Sequence, residues 1–278
     1  MAQLGVNVDK TGASILAKDV AWLSARWARV VAAPDHVMDQ LAFVRALTQH
    51  GIKVLLCFDQ DAYRTFGDPA ESYTWRQAAS WGKAVYRGLI HALEPTNEPD
   101  GEGHESSAEP IECVNGKIQV HRETWGADIT LVGVGSVSGQ ASYYENVRTD
   151  LLDALSIHPY AQWTPESLNE MLDRHAALGL PLWVTEVGLD AEDERQAEFL
   201  TWTLETIKQR SDVQMCTWFC AHHYGLWGMV RADGSWRSTA EAFRRVAESG
   251  EPEPTVTVKA IDVSSHQPKN LTNIIAQH

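Results

Sequence analysis

Positive charge is scarce in this chain: 23 Lys and Arg stand against 37 Asp and Glu, a formal net charge of -14 over 278 residues. A field of that sign repels phosphate backbones and anionic headgroups, so nucleic acid is not an expected partner. No apolar run approaches the roughly 18 residues that a membrane span requires, and membrane insertion is not expected either. The opening residues, MAQLGVNVDKTG, lack the basic segment and apolar stretch of a secretory signal. Cysteine is equally sparse. Cys57, Cys113, Cys216 and Cys220 form no CxxC pair, which favours reduced thiols over a disulfide framework. Cys220 with His222 and His223 lacks the spacing of a metal site, so neither metal nor cofactor is expected.

What the chain does have is an ordinary globular core composition, 44% hydrophobic, and eleven Trp, whose flat amphipathic rings serve either as core filler or as stacking platforms. Short apolar or β-branched runs alternate with longer amphipathic stretches, the pattern of a parallel sheet with helices outside it. Strands are predicted over 3–8, 28–32, 53–58, 90–95, 130–134, 154–158, 182–186 and 214–219. Helical spacing of apolar residues predicts helices over 15–24, 37–50, 75–86, 165–178, 194–210 and 239–247. Eight β/α units in this length predict an α/β fold, a (β/α)8 TIM barrel over residues 1–250. Residues 251–257 open with Glu-Pro-Glu-Pro, a stiff acidic linker, and a tail of residues 258–278 follows, too short to bury a core of its own.

Such barrels build their sites at the carboxyl ends of the strands. Two glutamates fall there: Glu98, in Glu94-Pro-Thr-Asn-Glu-Pro99 after the fourth strand, and Glu186, ending the seventh in Leu182-Trp-Val-Thr-Glu186. Two carboxylates facing each other across a barrel mouth suit glycoside cleavage, where one protonates the leaving oxygen and the other attacks the anomeric carbon or activates water. The sequence here resembles the clan A glycoside hydrolases, a superfamily that includes cellulases, mannanases, xylanases and β-xylosidases. Asn97-Glu98-Pro99 matches its fourth-strand motif and Glu186 its seventh-strand glutamate. The resemblance implies a retaining two-glutamate mechanism with Glu98 as acid/base and Glu186 as nucleophile. It extends to Arg29 on the second strand, His158 and Tyr160 after the sixth, and Trp218 on the eighth. Arg29 can hold the nucleophile ionised, Tyr160 can hydrogen-bond it, His158 can line the acid/base and Asn97 can meet the sugar 2-hydroxyl. Trp218 is expected as the stacking floor, while Asp59 and His222 face the same mouth as candidate substrate contacts.

The tail carries a second likeness. Residues 260–267, AIDVSSHQ, resemble the opening strand of family twenty-five lysozymes, muramidases common in phage endolysins, with Ala260 where that family has Gly. Together with the missing signal, this implies an endolysin module acting on peptidoglycan glycan strands, held in the producing host's cytoplasm and released at lysis. The alternatives are a secreted retaining glycosidase for plant-type β-glucan, xylan or mannan, and a catalytically silent carbohydrate-binding barrel.

Overall fold

The computed structural model describes residues 1–249 apart from 14, 102–107, 138, 161–163 and 223. The predicted linker and tail, and with them the lysozyme-like segment, lie outside the described residues. The chain runs β1 (Gln3–Val8), α1 (Ala17–Trp22), β2 (Trp27–Val31), α2 (Val37–Gln49), β3 (Lys53–Cys57), α3 (Gln60–Arg64), α4 (Ser72–Tyr86), β4 (Ala92–Glu94) and α5 (Ile111–Trp125). It continues through β5 (Thr130–Leu131), β6 (Leu155–Ile157), α6 (Pro165–Ala176), β7 (Leu182–Val187), α7 (Asp193–Lys208), β8 (Val213–Trp218) and α8 (Ser238–Glu248). All pairings are parallel, in the order β5-β4-β3-β2-β1-β8-β7-β6. The ring closes between β5 and β6 through the isolated bridges Val132 to Ala154 and Ser136 to Ile157. The eight predicted strands are thus the eight strands of a TIM barrel. The fifth unit departs from the pattern: among the described residues, β5 and β6 are joined by the 3-10 turns Ala141–Asn146 and Thr149–Leu151 and not by a helix.

Strand alternation sorts the side chains into an outer shell and an inner column. On β2, Ala28 and Val30 pack outward against the helices, whereas Trp27 and Arg29 point in. The inner column begins, at the amino ends of the strands, with an apolar layer of Trp27, Leu55, Ala92, Val132, Ala154, Trp183 and Met215. Trp27 and Trp183 meet edge to face there, ring centroids 5.0 Å apart. Gly5 makes the room for this layer, since a Cβ on it would stand 2.6 Å from that of Trp27. One layer higher the column turns polar, with Asn7, Arg29, Cys57, Glu94, Ser156, Thr185 and Thr217. Burying so many polar groups costs free energy unless they satisfy one another, and that requirement builds the site.

Candidate active site

Arg29 is the hub. It is 2% exposed, and each guanidinium nitrogen is spent on a different strand. Its Nε donates to Glu94 Oε2 at 2.7 Å, one terminal nitrogen to Asn7 Oδ1 at 3.0 Å and Glu186 Oε1 at 2.5 Å, and the other to Asn97 Oδ1 at 2.6 Å and Cys57 Sγ at 3.1 Å. Burial works against its charge, but Cys57, Glu94 and Glu186 lift its pKa well above the ordinary value, so it is a permanent cation. Glu94 is the fully buried counterion, and its Oε1 accepts from Ser156 Oγ at 2.5 Å and Thr185 Oγ1 at 3.1 Å.

Glu186 is held from two sides, by Arg29 on Oε1 and by the Tyr160 hydroxyl on Oε2 at 2.5 Å. Burial pushes its carboxyl up, yet the charges of His158 and Arg29 and the Tyr160 hydrogen bond outweigh it and leave the pKa below the ordinary value. Strand alternation alone would send Thr185 and Glu186 to opposite faces. The register of β7 against β8 shifts between Val184 and Val187, and through this irregularity Thr185 reaches Glu94 while Glu186 reaches Arg29.

Glu98 lies past the end of β4 in left-handed backbone, φ 47°, a conformation that costs a glutamate free energy and persists only where the surroundings enforce it. Its Oε1 is 2.9 Å from Nδ1 of His158, whose Nε2 is 3.0 Å from Thr185 Oγ1. Burial lowers the imidazole's pKa, but Glu186 and Glu98 raise it more, leaving it above the ordinary value. Gly135, with φ 58°, leaves the gap in which this chain fits: a Cβ there would sit 2.9 Å from both Glu94 Oε1 and His158 Nε2. Ligating atoms of Glu98, His158 and Glu186 all lie within 4.8 Å of one another. A cation among them would have to compete with Arg29 and Tyr160 for the two oxygens of Glu186, so the donor set is poorly suited to a metal.

Of the sequence-predicted site residues, Glu98, Glu186, Arg29, Asn97, His158 and Tyr160 therefore converge. Trp218 does not. It is fully buried and faces outward, 6.0 Å from the Phe199 ring of α7, because Thr217 before it points into the barrel. The aromatic wall beside Tyr160 comes instead from Phe219, at 6.2 Å, and Trp227, at 5.4 Å, both only partly buried. Asp59 is occupied with structure: its Oδ1 accepts from Ala62 N at 2.7 Å as the N-cap of α3, and its Oδ2 lies 3.6 Å from Lys10. His222 stands at the mouth with its ring 6.2 Å from that of Tyr224. Asn7, Ser156 and Thr185 were not legible as site residues. The only signal was a polar residue at an inward position of an otherwise apolar strand.

A family model described as the glycosyl hydrolase catalytic core matches residues 73–243. No curated protein matches the chain. Among solved structures, the GH5_18 protein of Streptomyces cattleya in complex with Manβ1-4GlcNAc is 14% identical, with a TM-score of 0.69 over 91% of this chain and 83% of its own. A GH30 endoxylanase from Clostridium papyrosolvens C71 is 12% identical, with a TM-score of 0.69 over 91% of this chain and 73% of its own. A GH5-4 broad specificity endoglucanase from Clostridium acetobutylicum is 13% identical, with a TM-score of 0.64 over 88% of this chain and 96% of its own.

Proposed function

Because the chain belongs to the glycosyl hydrolase catalytic core family, we propose that it cleaves β-glycosidic bonds with net retention, using Glu186 as nucleophile and Glu98 as acid/base. One observation carries this reading: two buried carboxylates with oxygens within 4.8 Å of each other, one held ionised and the other against a histidine. Retaining enzymes need carboxyl groups about 5 to 5.5 Å apart, whereas inverting ones need about 6.5 to 9.5 Å to seat a water between them.

In the first step Glu186 attacks the anomeric carbon as the bond to the leaving oxygen breaks, and that oxygen takes the proton of Glu98. In the second, water attacks the same carbon, gives a proton back to Glu98 and releases Glu186. The hydrogen bond between His158 Nδ1 and Glu98 Oε1 fixes the orientation of the Glu98 carboxyl for this exchange. Asn97 spends its carbonyl on Arg29, so its amide hydrogens are left for a sugar hydroxyl. Phe219 and Trp227 supply the apolar wall for the ring face in the place expected of Trp218.

As substrate we propose a β-linked polysaccharide of the glucan, xylan or mannan kind, in line with the glycans named for the structural neighbours. The peptidoglycan reading rests on residues 258–278 and has no support from the barrel. A silent binding module would have no use for an ionised Glu186 aligned with Glu98. The test is to incubate the protein with glucan, xylan, mannan and peptidoglycan and follow new reducing ends, then to read the anomer first released by proton NMR. Retention is expected, with no release by Glu186→Gln. An inverted first product would overturn the mechanism, and release from peptidoglycan alone would overturn the substrate class.

A further inference from the structure

Glu98 is in a left-handed conformation, and besides the His158 contact on its carboxyl the segment that carries it is tied to a charged cluster on α5. The buried face of α5 carries Val114, Ile118 and Trp125 at helical spacing, and on the same face lie Lys117 and His121, both fully buried. A lysine at a core position demands a counterion. Lys117 Nζ lies 2.5 Å from Glu109 Oε1 and 4.4 Å from the centre of the Tyr63 ring. Glu109 in turn grips both ends of the Glu98 turn: its Oε2 accepts from Thr96 Oγ1 at 3.2 Å, and its backbone N–H donates to Pro99 O at 2.6 Å. Tyr63 donates its hydroxyl to Pro95 O at 2.5 Å and meets His121 Nε2 at 2.9 Å. Burial, helped by Lys117, pushes His121 down to about 3, so it is neutral and adds no second charge.

We propose that the buried Lys117–Glu109 pair, acting through Thr96 and the backbone of Pro99, is the positioning device that sets Glu98 for proton transfer. The segment 95–99 is pinned at Pro95, Thr96 and Pro99, on both sides of the strained residue. The pair touches neither Glu186 nor Arg29, so its effect falls on the acid/base and not on the nucleophile.

The inference rests on the acid/base reading of Glu98, and leaving-group dependence separates the two. Wild type, Glu98→Ala, Thr96→Val, Thr96→Ser and the charge-removing double variant Glu109→Gln with Lys117→Met are compared on dinitrophenyl and phenyl β-glycosides. The sugar is taken from glucose, xylose, mannose and N-acetylglucosamine, as the wild type cleaves it. The dinitrophenyl leaving group departs without protonation, whereas the phenyl group needs more help from the acid. Glu98→Ala defines the full loss in kcat/KM on phenyl glycoside, on the order of 10²-fold or more. Thr96→Val is expected to lose about ten-fold in kcat/KM, which reads the first step alone, on the phenyl glycoside and less than about two-fold on the dinitrophenyl one, with Thr96→Ser restoring both. The double variant should follow Thr96→Val. If Thr96→Val, folded by circular dichroism, loses kcat/KM on both substrates in parallel or on neither, the positioning role is overturned. If Glu98→Ala itself loses kcat/KM on both in parallel, the acid/base reading fails, and this inference with it.

Discussion

At the scale of single residues, the most informative group is the Tyr160 hydroxyl. It donates to Glu186 Oε2 and helps hold that carboxyl below its ordinary pKa, after burial, His158 and Arg29 have had their say. Removing it in Tyr160→Phe takes away a donor that favours the ionised form, so Glu186 protonates at higher pH. The acidic limb of kcat/KM is expected to move upward by about one pH unit, the equivalent of losing one hydrogen bond to a charged group. A pH series on the purified variant checks this, and an unmoved limb would show that Arg29 and His158 alone set the charge. Glu98 and Glu186 were legible in the sequence because each sits beside an unmistakable strand end. Thr185 was not, because the register shift in β7 that turns it inward beside Glu186 leaves no trace in a pattern of apolar and polar letters.

At the scale of elements, β8 shows how one residue of register decides a role. Outward-facing Trp218 packs on Phe199, while Phe219 and Trp227 stand beside Tyr160. Trp218→Ala should therefore cost stability, about 3 to 5 kcal/mol in denaturant unfolding. Trp227→Ala should leave stability nearly unchanged and raise KM severalfold, as the loss of one stacking surface does. Were Trp218→Ala to raise KM with no loss of stability, the assignment would be reversed. All eight strands were legible, since strands buried on both faces read as continuous apolar runs. The orientation of Trp218 was less so: both it and Thr217 lie in one run, and the hydrogen bond that Asn7 donates to Thr217 Oγ1, with the packing of Trp218 on Phe199, shows which of them looks inward. The helix α5 is absent from the predicted set although it carries apolar residues at helical spacing, because Lys117 and His121 interrupt its buried stripe.

At the scale of the whole molecule, the site links pH to folding. Glu186 has a lowered pKa in the folded state, so its contribution to stability is full above its ordinary value near 4.5 and is lost as pH falls through the folded value. His158 has a raised pKa, so its contribution is full below its ordinary value near 6.5 and is lost as pH rises through the folded value. The two overlap between about pH 4.5 and 6.5, where the site adds most. Thermal melting across pH should show a broad maximum on the mildly acidic side that flattens in the double variant Glu186→Gln with His158→Gln. An unchanged profile would mean that other carboxylates dominate the acid unfolding.

The contacts of Arg29 also divide the chain in a particular way. Asn7, Arg29, Cys57, Glu94, Asn97 and Glu98 come from the first four strands and the loop that follows them, whereas Ser156, His158, Tyr160, Thr185 and Glu186 come from the last four. Glu98 and Glu186 belong to different halves, and the guanidinium that holds Glu186 ionised is contributed from the other side of the molecule. Turnover is thus a property of the reunited halves alone. A chain severed between α5 and β5 would be a two-fragment switch, silent while its pieces diffuse apart and active only when they find each other.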